Sequence, residues 1–287
     1  MKNKNYLLGI SFFILSLITS LSNDIIQKHL GSRIHTFQIT FFRNIIAAIS
    51  LIPFILHYGK SSLKTNHIGV QFFRGLLLFL GISAWIFGLN LVKISAATVF
   101  GSTVPLFTLI LALFFLPEKV IWQRWVATII GFIGMYIVVN PHSEDFNIGI
   151  LIFIFSSICF ASLDIINKKF ITRESTIGML FYSAFFTAIL SLYPASMEWV
   201  QPNMNEIALL VILGISGNLI LFFILKAFSL VDATATAPYR YLEFALSALA
   251  GYLIFNEIPD KTIIIGAIIV IPSTLFVVFS EARNNKQ

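Results

Sequence analysis

Residues 24–28 read DIIQK, and residues 164–168 read DIINK, 140 positions later. The same displacement carries Ser16 onto Ser156. A displacement of 139 carries Glu118 onto Glu257 and, with one residue of slippage, LVKISAAT (91–98) onto LVDATATA (230–237). The 287-residue chain therefore contains two related halves. What fold they build depends on what each half is made of.

Each half is made for lipid. Only 11% of the residues are charged, against roughly a quarter in a soluble domain, and the mean hydropathy is +0.90. A helix needs about 20 mostly apolar residues to cross a bilayer. Ten windows qualify: 6–26, 36–56, 68–90, 95–115, 121–139, 148–167, 177–196, 207–228, 233–254 and 262–280. The expected fold is an all-α membrane protein of ten transmembrane helices, as two five-helix repeats over 1–141 and 148–281. Five is odd, so the two repeats are expected to lie in opposite orientations. Swapping the conformations of two such halves opens a central site first to one side and then to the other, and such sites lie near the midplane.

Orientation follows the flanking Lys and Arg residues. Thirteen fall on one side, among them Lys60, Lys64, Arg74, Arg124 and Arg173, and four on the other, Lys28, Arg33, Lys93 and Lys261. Arg43 and Arg240 lie inside spans. Both termini are therefore expected to be cytoplasmic. The net charge of +6 belongs to this topology and not to nucleic-acid binding, since no basic cluster or zinc spacing accompanies it. The single cysteine, Cys159, supplies neither an internal disulfide nor a metal site. No HExxH, nucleophile elbow or phosphate loop is present, so neither an enzyme nor a bound cofactor is expected.

The ninth window, DATATAPYRYLEFALSALAGYLIF at 232–255, carries Arg240 and Glu243 at its centre. A charge at that depth costs about 2.5–3.5 kcal/mol on insertion scales, so both must face protein, water or a ligand. On an α-helix at about 100° per residue, Ala233, Thr236, Arg240, Glu243, Ser247 and Gly251 share one face, with Tyr239 at its border. The repeat places Ala97, Gly101, Val104 and Thr108 at the matching positions. One half offers charge and the other offers room, with a kink expected at Pro105. A second reading is an Arg240–Glu243 pair at i,i+3 that satisfies itself.

Several motifs resemble a known family. FFRGLLLF at 72–79, with a Glu closing the fourth and ninth spans in LPEK (116–119) and FNEI (255–258), is similar to the drug/metabolite transporter superfamily, EamA type, over nearly the whole chain. The longer phrases DIINKKF (164–170), MLFYSA (179–184), LFFILKAFSLVDATATAPYRYLE (221–243) and FNEIPDK (255–261) resemble the S-adenosylmethionine uptake transporters of rickettsial bacteria. That resemblance implies secondary uptake of S-adenosylmethionine across a bacterial inner membrane by a multi-pass protein. Its surroundings would be the lipid bilayer, and uniport and exchange for S-adenosylhomocysteine both stay open. Another small zwitterion, such as an amino acid, is the alternative cargo. The resemblance also implies a cavity lined by the first, third, fourth, sixth, eighth and ninth helices.

S-adenosylmethionine presents a carboxylate, an ammonium, a sulfonium and an adenine ring. Arg240 suits the carboxylate, Glu243 a positive group, and Tyr239 and Trp85 offer aromatic faces. Thr236, Gly101, Asn218 and Asn23 complete the candidate site. Asn23 follows Ser16 and Ser20 on one stripe, which either lines the cavity or bonds neighbouring helices. Trp85 is equally readable as packing. Asp24 and Asp164, each with a Lys four residues on, read as helix-end or structural pairs. Arg43, on a helix the resemblance makes peripheral, reads as structural. Gly131 and Gly134 read as close helix packing.

Overall fold

Long apolar runs broken only by short polar turns become helices here. The computed structural model describes residues 2–91, 103–118, 120–139 and 149–243, together with 246, 249, 265, 268, 269, 272 and 276. The helices are α1 (Lys2–Leu30), α2 (Thr36–Ser50), α3 (Ile52–Tyr58), α4 (Ile68–Leu91), α5 (Val104–Phe115), α6 (Trp122–Val139), α7 (Gly149–Phe170), α8 (Thr176–Met197), α9 (Met204–Leu230) and α10 (Ala233–Thr236). A 3₁₀ turn, Ala237–Tyr241, follows α10. No strand occurs among the described residues.

Six stretches are long and apolar enough to cross a membrane: Asn5–Leu30, Thr36–Tyr58, Ile68–Leu91, Leu151–Phe170, Thr176–Met197 and Met204–Leu230. They match the first, second, third, sixth, seventh and eighth expected spans. α5 is a shorter apolar helix. Gly101, Ser247, Gly251 and nearly all of the expected tenth span lie outside the described residues.

Helix ends are set by local chemistry. α9 opens with a capping box, in which the Asn203 side chain accepts from the Glu206 N–H at 2.9 Å and Glu206 accepts from the Asn203 N–H at 2.7 Å. α10 is capped from a distance. Glu118 accepts from the N–H groups of Ala233 at 3.0 Å and Thr234 at 3.1 Å, and from the Thr234 hydroxyl at 2.8 Å. Lys168 donates to the last carbonyls before that start, Phe228 at 2.8 Å and Val231 at 2.7 Å. Pro105 does not kink a described helix. It sits in the first turn of α5, where a missing N–H costs nothing.

The packing repeats itself under exchange of the halves. α1 runs along α9, and its counterpart α7 runs along α4. α2 meets α9 as α8 meets α4, and α2 and α8 meet each other. The closest approaches obey the same exchange. A Cβ on Gly75 would lie 2.5 Å from Cβ of Phe186, and one on Gly214 would lie 2.6 Å from Cγ2 of Ile46. Gly214 is the 139-shifted twin of Gly75, and Phe186 the 140-shifted twin of Ile46. Beside these contacts the Thr187 hydroxyl donates to the Gly75 carbonyl at 3.0 Å, and the Asn218 amide donates to the Ala47 carbonyl at 2.7 Å. In lipid, small residues of this kind let backbones approach and polar side chains bond across.

Arg74, counted among the flanking charges, also has a packing role. It is fully buried, donating to Asn167 at 2.8 Å, Gln71 at 2.6 Å and the Met179 carbonyl at 3.0 Å. It ties α4 to α7 and α8.

Candidate functional site

Where the long helices converge they leave a cavity. Its charged and amide lining comprises Asn23, Asp24 and Gln27 from α1, Arg43 and Asn44 from α2, Asp164 and Asn167 from α7, Asn218 from α9, and Arg240 and Glu243 from the ninth stretch. Trp85 of α4, Phe160 of α7 and Val104 of α5 add apolar wall. Among the described residues, three carboxylates face two guanidiniums, so one negative charge is in surplus when all five are ionised.

The charges are not paired as i,i+3 neighbours. Arg240 is ion-paired with Asp164 on α7, and its guanidinium lies 5.3 Å from the Phe13 ring centre of α1. Glu243 lies within the electrostatic reach of Arg240 without an ion pair to it, bonds to Ser20 on α1, and also influences Asp24. Asp24 accepts from the Trp85 indole N–H at 2.8 Å and from Gln27 at 3.3 Å. Gln27 accepts in turn from Arg43 at 2.8 Å.

Five of the eight candidate residues line this cavity: Glu243, Arg240, Trp85, Asn218 and Asn23. Trp85 also meets Phe153 edge-on at 5.0 Å. Asn218 has both amide hydrogens engaged, on Ala47 and on Ser50 at 3.0 Å. Asn23 accepts from Ser216 at 2.6 Å, while its amide nitrogen is buried without a partner among the described residues. Ser16 and Ser20 line the cavity as well.

Thr236 and Tyr239 are placed elsewhere. Thr236 is buried and donates to the Ala233 carbonyl at 2.8 Å. Tyr239 is buried in an apolar cluster with Phe13 and Leu17, its hydroxyl 3.1 Å from that of Tyr6. The reason is local. Residues 237–241 form a 3₁₀ turn, which advances by about 120° per residue. Across that turn 236 and 239 rotate off the face of 240, while 243, just beyond it, still lines the cavity with Arg240.

Three residues read as structural open on the cavity: Asp24, Asp164 and Arg43. Neither Asp ends its helix, since α1 continues to Leu30 and α7 to Phe170. Lys168 turns to the Phe228 and Val231 carbonyls and toward Glu118 at 4.0 Å, leaving Asp164 to Arg240. The usable signal lay in the repeat itself. DIIQK and DIINK each place an acid and an amide three residues apart, on one helix face. Gly131 keeps its packing role, since a Cβ there would lie 2.5 Å from the Tyr241 ring.

Comparison with known proteins agrees with this architecture. The family model of the EamA-like transporter family matches residues 7–140 and again 147–279. The chain is 56% identical over 280 residues to the S-adenosylmethionine uptake transporter of Rickettsia conorii, covering 98% of this chain and 95% of that one. It is 55% identical to the protein of that name from Rickettsia bellii, covering 98% and 96%. The riboflavin transporter of Vibrio cholerae is 31% identical over 84% of this chain and 82% of its own. A crystal structure of a further protein, 17% identical, superposes with a TM-score of 0.79 over 97% of this chain and 98% of that one, and so shares the fold. Two matched repeats, helices that pack by exchange of the halves, and a charged cavity between them make this chain a member of the EamA-like transporter family.

Proposed function

We propose that the protein takes up S-adenosylmethionine across a bacterial inner membrane by alternating access. In this reading ten helices form two inverted repeats over 1–141 and 148–281, with both termini in the cytoplasm. The observation that carries it is the excess of carboxyl groups over guanidiniums among the described residues lining the cavity, in a chain 56% identical to a rickettsial S-adenosylmethionine uptake transporter. S-adenosylmethionine has two positive groups and one negative group at neutral pH, a net charge of about +1, and a surplus carboxylate is the complement it needs. Glu243, which makes no ion pair among the described residues, is the proposed partner of a positive group. Trp85, Asn23 and Asn218 border the solute, and Arg240 acts with Asp164. Tyr239 and Thr236 shape the helical break that presents Arg240 and Glu243 together.

The test is uptake of labelled S-adenosylmethionine into liposomes containing the purified protein, with riboflavin and methionine as competitors. Saturable uptake that excess riboflavin leaves unchanged supports the reading. Absence of uptake, or accumulation of riboflavin in its place, overturns it. A cysteine at Asn147 should react from outside and one at Thr172 from the cytoplasm, and the reverse would overturn the orientation.

A further inference from the structure

Of the two cavity-lining arginines, Arg240 is already ion-paired with Asp164. Arg43 is not. Among the described residues it gives one hydrogen bond, from Nη1 to Gln27 at 2.8 Å, and its side chain lines the cavity. Asp24 has the complementary vacancy. Both of its hydrogen bonds among the described residues, from Trp85 and from Gln27, land on Oδ1, which leaves Oδ2 without one, and Asp24 lines the same cavity. Asp24 and Arg43 influence each other electrostatically without forming an ion pair, and Gln27 bonds to both.

α9 makes the space for this arrangement. A Cβ on Gly217 would lie 3.0 Å from Nε of Arg43, so the missing side chain is what lets the guanidinium lie across the helix. Ser216 and Asn218, on either side, hold Asn23 at 2.6 Å and the Ala47 carbonyl at 2.7 Å. The segment GISGN (214–218) thereby fixes α1 and α2 against α9 with Arg43 between them.

A guanidinium fork with unused donors next to a carboxylate with an unused oxygen is the complement of an α-amino acid end, which carries a carboxylate and an ammonium on one carbon. We propose that Arg43 and Asp24 recognise the amino-carboxylate end of the solute: Arg43 binds the carboxylate and Asp24 the ammonium. The inference rests on the transport reading above and deepens it. It makes these two residues the determinants that separate amino-acid-bearing solutes from those lacking a carboxylate. It leaves Glu243 to the sulfonium.

The experiment compares S-adenosylmethionine with its decarboxylated analogue as competitors of labelled S-adenosylmethionine uptake into liposomes, with no membrane potential imposed. The wild-type protein should prefer the carboxylated compound about ten- to a hundredfold, the range for one hydrogen bond to a charged group. Arg43→Gln should erase that preference by weakening the carboxylated competitor alone. Arg240→Gln should weaken both alike. Gly217→Ala, which keeps the charge but displaces the fork, should reduce the preference in part, and it carries the test if Arg43→Gln fails to fold. A wild-type protein that does not discriminate, or an Arg43→Gln protein that still does, overturns the inference while leaving the transport reading intact. Absence of any S-adenosylmethionine uptake by the wild type overturns the transport reading, and the inference falls with it.

Discussion

Asp24 and Asp164 are repeat twins with different partners. Asp164 is ion-paired with Arg240, whereas Asp24 is held by the Trp85 indole and Gln27. The position matching Arg240 in the first half is Gly101, so Asp24 has no twin of Arg240 to pair with. The two halves pack alike and present different chemistry to the cavity between them.

The Arg240–Asp164 pair should behave as a buried pair does. Removing one partner strands the other charge, at a cost of about 3–5 kcal/mol. Asp164→Asn and Arg240→Gln should each lower the melting temperature in detergent, and the double variant should recover much of the loss. A double variant as unstable as the sum of the singles would show that the two groups do not act together. Glu243→Gln, with no ion pair to break among the described residues, should abolish uptake and leave the melting temperature nearly unchanged.

Glu118 is expected to be a stability residue. It accepts three hydrogen bonds from the first turn of α10, and loss of a helix cap costs about 0.5–2 kcal/mol. Glu118→Ala should lower stability by that order, measured by thermal unfolding in detergent, and Glu118→Gln by less because it retains an acceptor oxygen. Equal losses for the two would point to charge, through Lys168 at 4.0 Å, as the dominant effect.

Gly75 and Gly214 should be matched in sensitivity. A methyl at either would fall within 2.6 Å of the facing residue, and overpacking costs about 1–3 kcal/mol. Gly75→Ala and Gly214→Ala should both destabilise. Gly69, with nothing within 4 Å of its Cβ position, should accept alanine freely. Thermal unfolding of the three variants checks this.

Uptake of a cation should respond to voltage. An inside-negative potential favours one positive charge by about 2.3 kcal/mol per 100 mV, which is roughly 50-fold in concentration. In liposomes, such a potential should accelerate accumulation with no pH gradient. Accumulation that follows a proton gradient and ignores the potential would instead make Glu243, Asp24 or Asp164 a protonation site.

The long spans were legible because hydropathy is local: a run such as Ile68–Leu91 declares itself without reference to any neighbour. The duplication was equally legible, since DIIQK and DIINK stand in the chain for direct comparison. The charges of the ninth stretch were legible as anomalies, because a charge in lipid demands a reason. Their partners were not. A helical wheel pairs Arg240 with Glu243, but the approach of α7 gives Arg240 to Asp164.

By itself, then, the sequence determined a membrane chain of two related helical halves with buried charge, since composition and periodicity are properties of each segment alone. Only the tertiary structure decided that Arg43, Asp24 and Asp164 open on the cavity, that Tyr239 and Thr236 turn away from it, and that Glu118 caps a helix more than a hundred residues later. Each of those depends on which helix arrives opposite. That is set by close contacts such as Gly214 on Ile46 and Gly75 on Phe186, where the missing side chain on one helix matters only because of what the other brings to it.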